Sequence, residues 1–380
     1  MDGRVEGGWR SATFDCTGLN IIVAGEDGFL VASSLDGRVI LSNGTDILGP
    51  CSGPVSQCGV SNLFVIGQHS RCLLFDDSRR RAIGELGPYA SSIVGLRWVE
   101  GAGVIVVQLE AGEVLVYDVQ DDLRLVWRAP CAGTAGTAGT AGSAGTAGTE
   151  AIGTLAAVNV DGTARVAYAG RARGSVVVVQ DPRAASPEEE VAEGNSQATI
   201  RAHNHDIAAV ALSPDGCKLA TASSHGTVIR IYRIATGSDK IVVSLEMELR
   251  RSSSSTARMH SLAFSFDSPP SLLACASDTG TLHVFRLAGG SSYSAIQSIR
   301  SIQSIQSIRS IRSIRSIRST WRFDLPGKER CALAFHFRTP LTRPLLTVVS
   351  HSGAWQIGLL LEEDGAITLR THLTNHLSER

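Results

Sequence analysis

Two adjacent arginines, Arg250 and Arg251, are the residues whose type and position point most directly to a chemistry. They lie between two similar segments, residues 219–232 and 273–285, each with a hydroxyl-rich, glycine-containing turn between two apolar stretches. Neighbouring side chains of an extended chain point in opposite directions, so each arginine can serve a pocket beside one of the segments. Guanidinium groups combined with hydroxyl donors are typical of phosphate recognition.

Composition restricts the classes of function that this chain can have. Of 380 residues, 43% are hydrophobic and 19% charged, and the formal net charge is −1, so no overall field attracts nucleic acid. Aromatic residues make up 5%, which argues against a base-stacking platform, and no nucleic-acid partner is expected. The eight cysteines form no Cys-x-x-Cys pair, which indicates free thiols in a reducing compartment. No run of about 18 apolar residues is present, so membrane contact is expected to be peripheral.

A repeated strand–turn–strand plan organises the sequence. It occurs in residues 29–41, 63–75, 104–117, 166–179, 219–232, 272–285 and 345–359. Six of the seven turns contain glycine, as hairpins that need a positive φ require. With flanking strand-like segments, each unit has about four strands and a period of roughly 40 residues or more. We therefore predict an all-β fold, a seven-bladed WD40-like β-propeller that forms a single domain over residues 1–380.

The alternative architecture is a pair of all-β sandwiches. Strands such as those at residues 104–107 and 176–179 are apolar on both faces. Blades that pack between two neighbours bury both faces, whereas the strands of a sandwich alternate more cleanly. The pattern favours the propeller.

Three inserts interrupt the repeats. Residues 130–150 are an Ala-Gly-Thr low-complexity segment, which we predict to be a flexible loop. Residues 182–198 are predicted to be a polar linker between the fourth and fifth units. Residues 288–320 form a loop of Ser-Ile-Arg or Ser-Ile-Gln triplets within the sixth unit. A period of three does not align one residue type along an α-helix, so this loop is predicted to be disordered in isolation.

The triplet loop carries both charge and apolar side chains, a combination suited to an anionic membrane surface. We predict that the isoleucines enter the lipid and the arginines meet the headgroups. The predicted membrane-contact residues are Ile299, Ile302, Ile305, Ile308, Arg309, Ile311, Arg312, Ile314, Arg315, Ile317 and Arg318. The alternative is a neutral expansion in a tolerant loop.

Residues 202–251 and 262–285 resemble the PROPPIN family of phosphoinositide-binding propellers. The family's mark is Phe/Leu-Arg-Arg-Gly at the junction of blades five and six, and here the sequence reads Leu249-Arg250-Arg251-Ser252. The leading leucine resembles the branch of the family that pairs with autophagy lipid-transfer proteins. The match is specific over these residues, and the rest of the chain is compatible with it.

The resemblance implies two headgroup sites on the propeller rim. The predicted phosphoinositide-binding residues are Thr221, Ser223, His225, Gly226, Thr227, Arg230 and Arg250 at the first site, and Arg251, Ser277, Thr281 and His283 at the second. The resemblance also implies that the loop between the third and fourth strands of blade six, here the triplet repeat, inserts into the bilayer.

One position departs from the family pattern, because Ser252 replaces the glycine that follows the arginines. If that glycine has a positive φ, serine costs on the order of 1 kcal/mol there. We therefore expect the second site to be the weaker one. Phosphorylation of the serine run would place about −2 charge beside the pocket and weaken lipid binding, which a Ser252→Asp variant would test.

The prediction is a protein that is not an enzyme and uses no cofactor or metal. It binds membranes containing phosphatidylinositol 3-phosphate or 3,5-bisphosphate and acts in autophagosome formation with a lipid-transfer or scaffold protein. It is expected to be cytoplasmic and recruited peripherally to phagophore, endosomal or vacuolar membranes. Two alternatives remain: a WD40 protein–protein scaffold whose arginines bind an acidic peptide, and a propeller hydrolase. His203 and His205 lack a third ligand at suitable spacing, so a loop-capping role is expected for them.

Overall fold

The fold consists of β-strands arranged around a central axis. The computed structural model describes residues 9–15, 17–26, 28–34, 38–44, 48–49, 51–59, 61–133, 154–184, 196–237, 240–251, 256–287, 316–318, 321–324, 331–337, 344–350, 353–361 and 367–372. The strands are β1 (Trp9–Phe14), β2 (Asn20–Gly25), β3 (Gly28–Ser33), β4 (Val39–Gly44), β5 (Val55–Gln57), β6 (Leu63–Gln68), β7 (Arg71–Asp76), β8 (Arg81–Leu86), β9 (Ile93–Val99), β10 (Val104–Leu109), β11 (Glu113–Asp118), β12 (Arg124–Pro130), β13 (Leu155–Val160), β14 (Thr163–Ala169), β15 (Ser175–Gln180), β16 (Gln197–Arg201), β17 (Ile207–Leu212), β18 (Lys218–Ser223), β19 (Val228–Thr236), β20 (Ile241–Arg250), β21 (Met259–Phe264), β22 (Leu272–Ser277), β23 (Thr281–Arg286), β24 (Ser316–Arg318), β25 (Trp321–Asp324), β26 (Cys331–Phe337), β27 (Pro344–Ser350), β28 (Gly353–Leu361) and β29 (Ile367–His372).

The strands form seven sheets, numbered 1 to 7 in chain order. The first four strands of each sheet pair antiparallel in chain order, from an inner strand to an outer one. The inner strands β1, β5, β9, β13, β17, β21 and β26 contact each other in succession, and β26 contacts β1. The sheets therefore close into a propeller, in which the unpaired edge of each inner strand faces the centre and is protected there.

The predicted fold, a seven-bladed propeller with about four strands in each blade, is wrong in one respect. Six sheets follow the four-stranded plan, whereas sheet 5 has five strands, β17–β20 and β24. The extra strand comes from the triplet insert of the following blade and pairs in parallel with β20. Sequence periodicity missed this pairing because β24 is not adjacent in sequence to the sheet that it joins.

The first repeat is also offset by one strand from the others. Residues 29–41 cover β3 and β4, the third and fourth strands of sheet 1, whereas residues 63–75 cover β6 and β7, the second and third strands of sheet 2. The turn equivalent to those of the other units thus lies between β2 and β3. The β2–β3 turn and the β3–β4 turn both connect apolar strands, so the pattern alone did not distinguish them.

Central strands are buried on both faces, as their composition predicts. All six residues of β10 (Val104–Leu109) are buried, and the first five of β15 (Ser175–Gln180) are buried as well. Each sheet contributes one face to the core shared with the preceding sheet and the other to the core shared with the next; Tyr232 of sheet 5 packs on sheet 4, and Ile231 packs on sheet 6. This packing fixes the direction in which every strand residue points.

Glycines in the turns between second and third strands have positive φ, as the hairpin pattern predicts. The values are 91° at Gly112, 69° at Gly174, 63° at Gly226 and 69° at Gly280. A Cβ at Gly226 would lie 1.6 Å from the carbonyl oxygen of Ala257, so the close approach of this turn to the neighbouring loop requires glycine.

The inner strands line a central cavity of about 520 Å³. Seven cysteines in the described part of the chain are free, five of them buried, and burial raises the pKa of Cys72, Cys275 and Cys331 to about 12. In the described ranges, no helix is long and apolar enough to cross a membrane.

Most of the predicted inserts lie outside the described residues, namely residues 134–153, 185–195 and 288–315. β16 begins at Gln197, inside the range predicted to be a polar linker. β24 begins at Ser316, inside the predicted triplet loop.

Candidate functional site

Polar side chains lie on the face of sheet 5 that packs against sheet 4, near the end of its second strand, β18. Thr221 and Ser223 lie two residues apart on β18, so both leave the same face, and both are buried. Arg230 on β19 is directly opposite Thr221, and Glu248 on β20 is directly opposite Arg230. We call Thr221, Ser223, Arg230, Glu248 and His203 the first cluster.

Arg230 is held by two acceptors within this cluster. Its Nε donates to Glu248 Oε1 at 2.8 Å, and its Nη1 donates to the carbonyl oxygen of Ala202 at 2.5 Å. The side chain of Arg230 is about one-third exposed and is paired with the carboxylate of Glu248 on its own sheet. Because it also donates to Ala202 O, which follows sheet 4, Arg230 connects sheet 5 to sheet 4. The negative charge of Glu248 therefore compensates much of the positive charge of Arg230, a residue that the sequence pattern predicts to bind phosphate.

Thr221 is engaged by the loop between sheets 4 and 5. His203 Nε2 lies 2.9 Å from Thr221 Oγ1, and that hydroxyl also lies 3.5 Å from the carbonyl oxygen of Arg230, to which it donates. Burial, assisted by the positive charge of Arg230, lowers the pKa of His203 to about 4. His203 is therefore neutral at pH 7, with Nε2–H as the donor to Thr221.

Arg250 and Arg251 enter different environments at the end of β20. Arg250 lies opposite Val228 and two residues beyond Glu248, and it is exposed on the side of the first cluster. Arg251 is 7% exposed, its backbone N–H donates to Thr227 O at 3.0 Å and its Nε donates to Gly226 O at 2.9 Å. The two cations thus lie on opposite sides of sheet 5.

The guanidinium of Arg251 faces a group of hydroxyls on sheet 6. Its Nη1 lies 3.5 Å from both Thr279 Oγ1 and Thr281 Oγ1. The hydroxyls of Ser277, Thr279 and Thr281 lie 2.9–3.2 Å from one another. With the buried ring of His283, these residues form the second cluster. Three hydroxyls and one buried guanidinium make a compact set of donors for a phosphate.

The turn that carries His225, Gly226 and Thr227 separates the two clusters. The backbone N–H of Ala257 donates to the carbonyl oxygen of His225 at 3.2 Å, which ties the turn to the loop before sheet 6. The exposed rings of His225 and His205 stack with centroids 4.9 Å apart. Gly226 and Thr227 contribute through their backbone carbonyls, which position Arg251.

The structure therefore groups the predicted headgroup residues into two clusters on either side of sheet 5. Sequence reasoning missed Thr279, Glu248 and the contact of His203 with Thr221. Thr279 was detectable, because it occupies in the second copy the position that His225 occupies in the first. Glu248 was not, because only the strand register places it beside Arg230.

Some of the predicted residues fall outside the described ranges. Ser252 and the membrane-contact residues from Ile299 to Arg315 lie outside the described residues, and only Ile317 and Arg318 belong to a described strand. Among the residues that the structure describes, no three His, Cys, Asp or Glu side chains are grouped so as to hold a metal ion.

Comparisons with known proteins agree with the resemblance. Residues 150–297 match the family model described as PROPPIN. A segment of 96 residues is 42% identical to Autophagy-related protein 18 of Dictyostelium discoideum, covering 25% of this chain and 23% of that protein. A segment of 99 residues is 41% identical to Autophagy-related protein 18 of Saccharomyces cerevisiae, covering 26% of this chain and 18% of the relative. The matched segments thus span less than a quarter of the length of these relatives.

Solved structures resemble the chain over nearly its whole length. Hsv2 of Kluyveromyces lactis with its complete loop 6CD has a TM-score of 0.68 at 17% identity, covering 98% of this chain and 100% of that one. The complex of KlAtg21 with the coiled coil of AgAtg16 gives a TM-score of 0.64 at 16% identity, covering 96% of this chain and 98% of that one. At these sequence identities, the similarity to solved structures concerns the fold alone. The predicted resemblance to the PROPPIN family is confirmed by the match to the family model and to the two relatives.

Proposed function

We propose that this chain, which is similar to the PROPPIN family over residues 150–297, binds phosphoinositide headgroups and is recruited to membranes in autophagy. The observation that carries the proposal is the divergence of Arg250 and Arg251 at the end of β20. One arginine is exposed beside the first cluster, and the other is buried against the hydroxyls of the second. Two adjacent residues thus supply one cation to each of two polar clusters.

The second cluster has the more complete set of phosphate donors. The hydroxyls of Ser277, Thr279 and Thr281 bond one another, and a phosphate oxygen can replace these bonds with charge-assisted ones to Arg251. The guanidinium is already oriented by Gly226 O, so little side-chain freedom is lost on binding.

Beside the first cluster, Arg250 is the residue that we assign to the phosphate. Arg230 is paired with Glu248, and a phosphate placed against that pair would meet the carboxylate as well. Ser223 adds a hydroxyl at the same edge of the sheet. We therefore expect Arg230 to hold the cluster together and Arg250 to provide most of the attraction.

Two modest sites on one rigid fold act together when both face the same membrane. Binding of the first headgroup converts the second event into an intramolecular one, so avidity exceeds the affinity of either site. The names of the matched relatives support a role in autophagy, and we propose recruitment from the cytoplasm to membranes that carry 3-phosphorylated inositol lipids. The proposal is a binding function and assigns no reaction, cofactor or metal to the chain.

Vesicle flotation tests the proposal, with phosphatidylinositol 3-phosphate or 3,5-bisphosphate present or omitted. We expect the parent protein to float only with these lipids and the Arg250→Thr/Arg251→Thr variant to lose at least tenfold in bound fraction. The matched control is Arg79→Thr/Arg81→Thr, which removes the same charge from exposed positions on sheet 2. An equal loss of bound fraction in both variants would show that binding depends only on net charge, and would contradict the assignment of Arg250 and Arg251 to headgroup sites.

A second function, as a scaffold for a protein partner, is favoured by one observation. A structure of similar fold, KlAtg21, is a complex with the coiled coil of AgAtg16. We propose that this chain likewise binds an extended or coiled-coil partner, of the lipid-transfer or scaffold type, while attached to the membrane. Binding of such a partner to the Arg250→Thr/Arg251→Thr variant as well as to the parent would show that the two functions use different surfaces.

A further inference from the structure

A partly buried arginine lies in the wall of the central cavity. Arg97 is the third residue from the end of β9 and is opposite Val106 on β10. Its neighbours Leu96 and Trp98 are buried and pack in the core between sheets 2 and 3. Because side chains alternate between faces along a strand, Arg97 leaves the other face of sheet 3, on the side of sheet 4, where it lines the cavity.

The guanidinium of Arg97 is held at the unpaired edge of β9. Its Nη1 donates to the carbonyl oxygen of Leu96 at 2.8 Å. The backbone N–H of Trp98 points away from β10 and donates to Ser56 Oγ on β5 at 3.0 Å. Alternate residues of a strand direct their backbone groups to the same edge, so Leu96 O lies on that edge as well. The guanidinium therefore lies along the edge of β9 that borders the cavity.

The charge of Arg97 has no acidic partner among the described residues. Within those ranges its side chain makes one hydrogen bond, to Leu96 O, and a carbonyl oxygen carries no net charge. Burial lowers the pKa of Arg97, with no opposing effect from a carboxylate of those ranges. Two acidic residues also line the cavity, but Asp15 is hydrogen-bonded within its own turn and Glu100 is exposed beyond the end of β9. A partly buried cation without a counter-charge is unfavourable, so this place favours an anion.

The cavity wall near Arg97 is mainly apolar. The inner strands β1, β17 and β21 end in Phe14, Leu212 and Phe264, and all three residues line the cavity. The volume of about 520 Å³ is in the range of small-molecule sites, which combine apolar walls with a few polar groups. Apolar walls also strengthen the field of a single charge. One guanidinium in such a wall matches one negative charge on an apolar body.

We propose that the central cavity binds a small organic carboxylate, whose charged group pairs with Arg97 and whose apolar body lies against the aromatic and aliphatic wall. A guanidinium offers parallel N–H donors to both oxygens of a carboxylate. A polyphosphate fits less well, because one guanidinium would leave most of its charge uncompensated.

The carboxylate site is separate from the two headgroup clusters. Arg97 lies near the beginning of the second strand of its sheet, whereas the clusters lie where second strands end, at Ser223 and Ser277. Arg258 also lines the cavity, but it precedes β21 and therefore lies toward the clusters. The proposal thus does not depend on the proposed function.

Calorimetric titration of the full chain with octanoate, 1-octanol and acetate tests the proposal. Octanoate carries both the carboxylate and the apolar body, whereas each of the other two probes carries one of them. We expect octanoate to bind at least tenfold more tightly than either. No binding of octanoate, or equal affinities for octanoate and 1-octanol, would overturn the proposal.

A pair of variants assigns the binding to Arg97. Arg97→Met keeps an unbranched side chain and removes the charge, and we expect it to weaken octanoate binding at least tenfold. The control is Arg124→Met, which removes the same charge from an exposed position of sheet 3 and should bind octanoate like the parent. Equal affinity of the parent and of folded Arg97→Met would place octanoate elsewhere and overturn the proposal.

A measurement on the parent protein does not depend on the folding of a variant. Phenylglyoxal modifies accessible guanidinium groups, and mass spectrometry of peptides gives the rate at each arginine. We expect saturating octanoate to slow the modification of Arg97 at least threefold and to leave that of Arg124 unchanged. An unchanged rate at Arg97 in protein that has bound octanoate would contradict the site.

Discussion

At the residue scale, the central feature is that two adjacent arginines lie in different environments, on opposite sides of sheet 5. Arg250 is the last residue of β20 and is exposed, whereas Arg251 turns inward and is fixed by the carbonyl oxygen of Gly226. Burial of a guanidinium is unfavourable unless its donors are satisfied. The hydroxyls of Thr279 and Thr281 meet that requirement and make Arg251 part of the structure as well as of the site.

His203 makes the stability of the blade 4–blade 5 contact dependent on pH. Its pKa is about 4 in the folded protein and about 6.5 in an unfolded chain, so the unfolded state binds a proton first as the pH falls. The free energy of unfolding should therefore fall between pH 6.5 and pH 4, by on the order of 3 kcal/mol from this group. Denaturant titrations at several pH values measure it. A His203→Gln variant should lose this part of the slope, and an unaltered slope would contradict the assignment.

Gly226 is expected to tolerate no side chain. Its φ is 63°, and an added Cβ would meet Ala257 O at 1.6 Å, whereas Gly162 has a similar φ of 83° and open space. We expect Gly162→Ala to cost about 1–2 kcal/mol, from backbone strain alone. Gly226→Ala should cost about 3 kcal/mol or more, because the turn must also move away from its neighbour. Thermal unfolding of both variants gives the difference, and equal losses would contradict the close contact.

At the element scale, sheet 5 is the element that positions both clusters, because each of its faces contacts one cluster and its outer edge pairs with β24. The first cluster lies toward sheet 4, the second toward sheet 6, and β24 covers the end of its edge. A further contact fixes sheet 5 to sheet 4 at the opposite end of the strands. There the buried Arg165 donates to Gly216 O at 2.5 Å and to Thr236 Oγ1 at 2.8 Å.

Loss of this contact should reduce stability without removing a phosphate contact. We expect Arg165→Met to lower the free energy of unfolding by about 1–3 kcal/mol, because the buried carbonyl oxygen of Gly216 loses its donor, and Gln180 and Thr236 lose theirs at less buried positions. Arg124→Met, at an exposed ion pair of sheet 3, should cost less than about 1 kcal/mol. Both variants should float with lipid like the parent below their unfolding temperatures. Lost flotation of folded Arg165→Met would place the lipid contact at the wrong end of the strands.

The same scale shows what the sequence could predict. The apolar strand pairs and the glycines in their turns were readable for most hairpins, because both depend on local sequence. The offset of the first repeat was not, because the β2–β3 turn and the β3–β4 turn both join apolar strands. The addition of β24 was not either, because it depends on a bulge at Glu246 and on a partner about 70 residues away in sequence. The divergence of the two arginines followed from strand geometry, whereas the pairing of Arg230 with Glu248 required the register.

At the scale of the whole molecule, the closed ring brings together groups that the sequence separates. The hydroxyls of Ser277 and Thr281 meet Arg251 because sheets 5 and 6 share a core that includes Ile229, Leu273 and Phe285. The closed ring of sheets holds the two clusters at a fixed spacing, which the proposed binding of two headgroups on one membrane requires. This is the arrangement that a membrane-recruited binding protein needs.

The most direct test of the account is the number of headgroups that the protein binds in solution, measured by native mass spectrometry with soluble short-chain phosphatidylinositol 3-phosphate. The account predicts two headgroups for the parent, one each for Arg250→Thr and Arg251→Thr, and none for the double variant. One headgroup bound by the parent, or loss of both sites in the folded Arg250→Thr variant, would contradict the assignment of one arginine to each cluster.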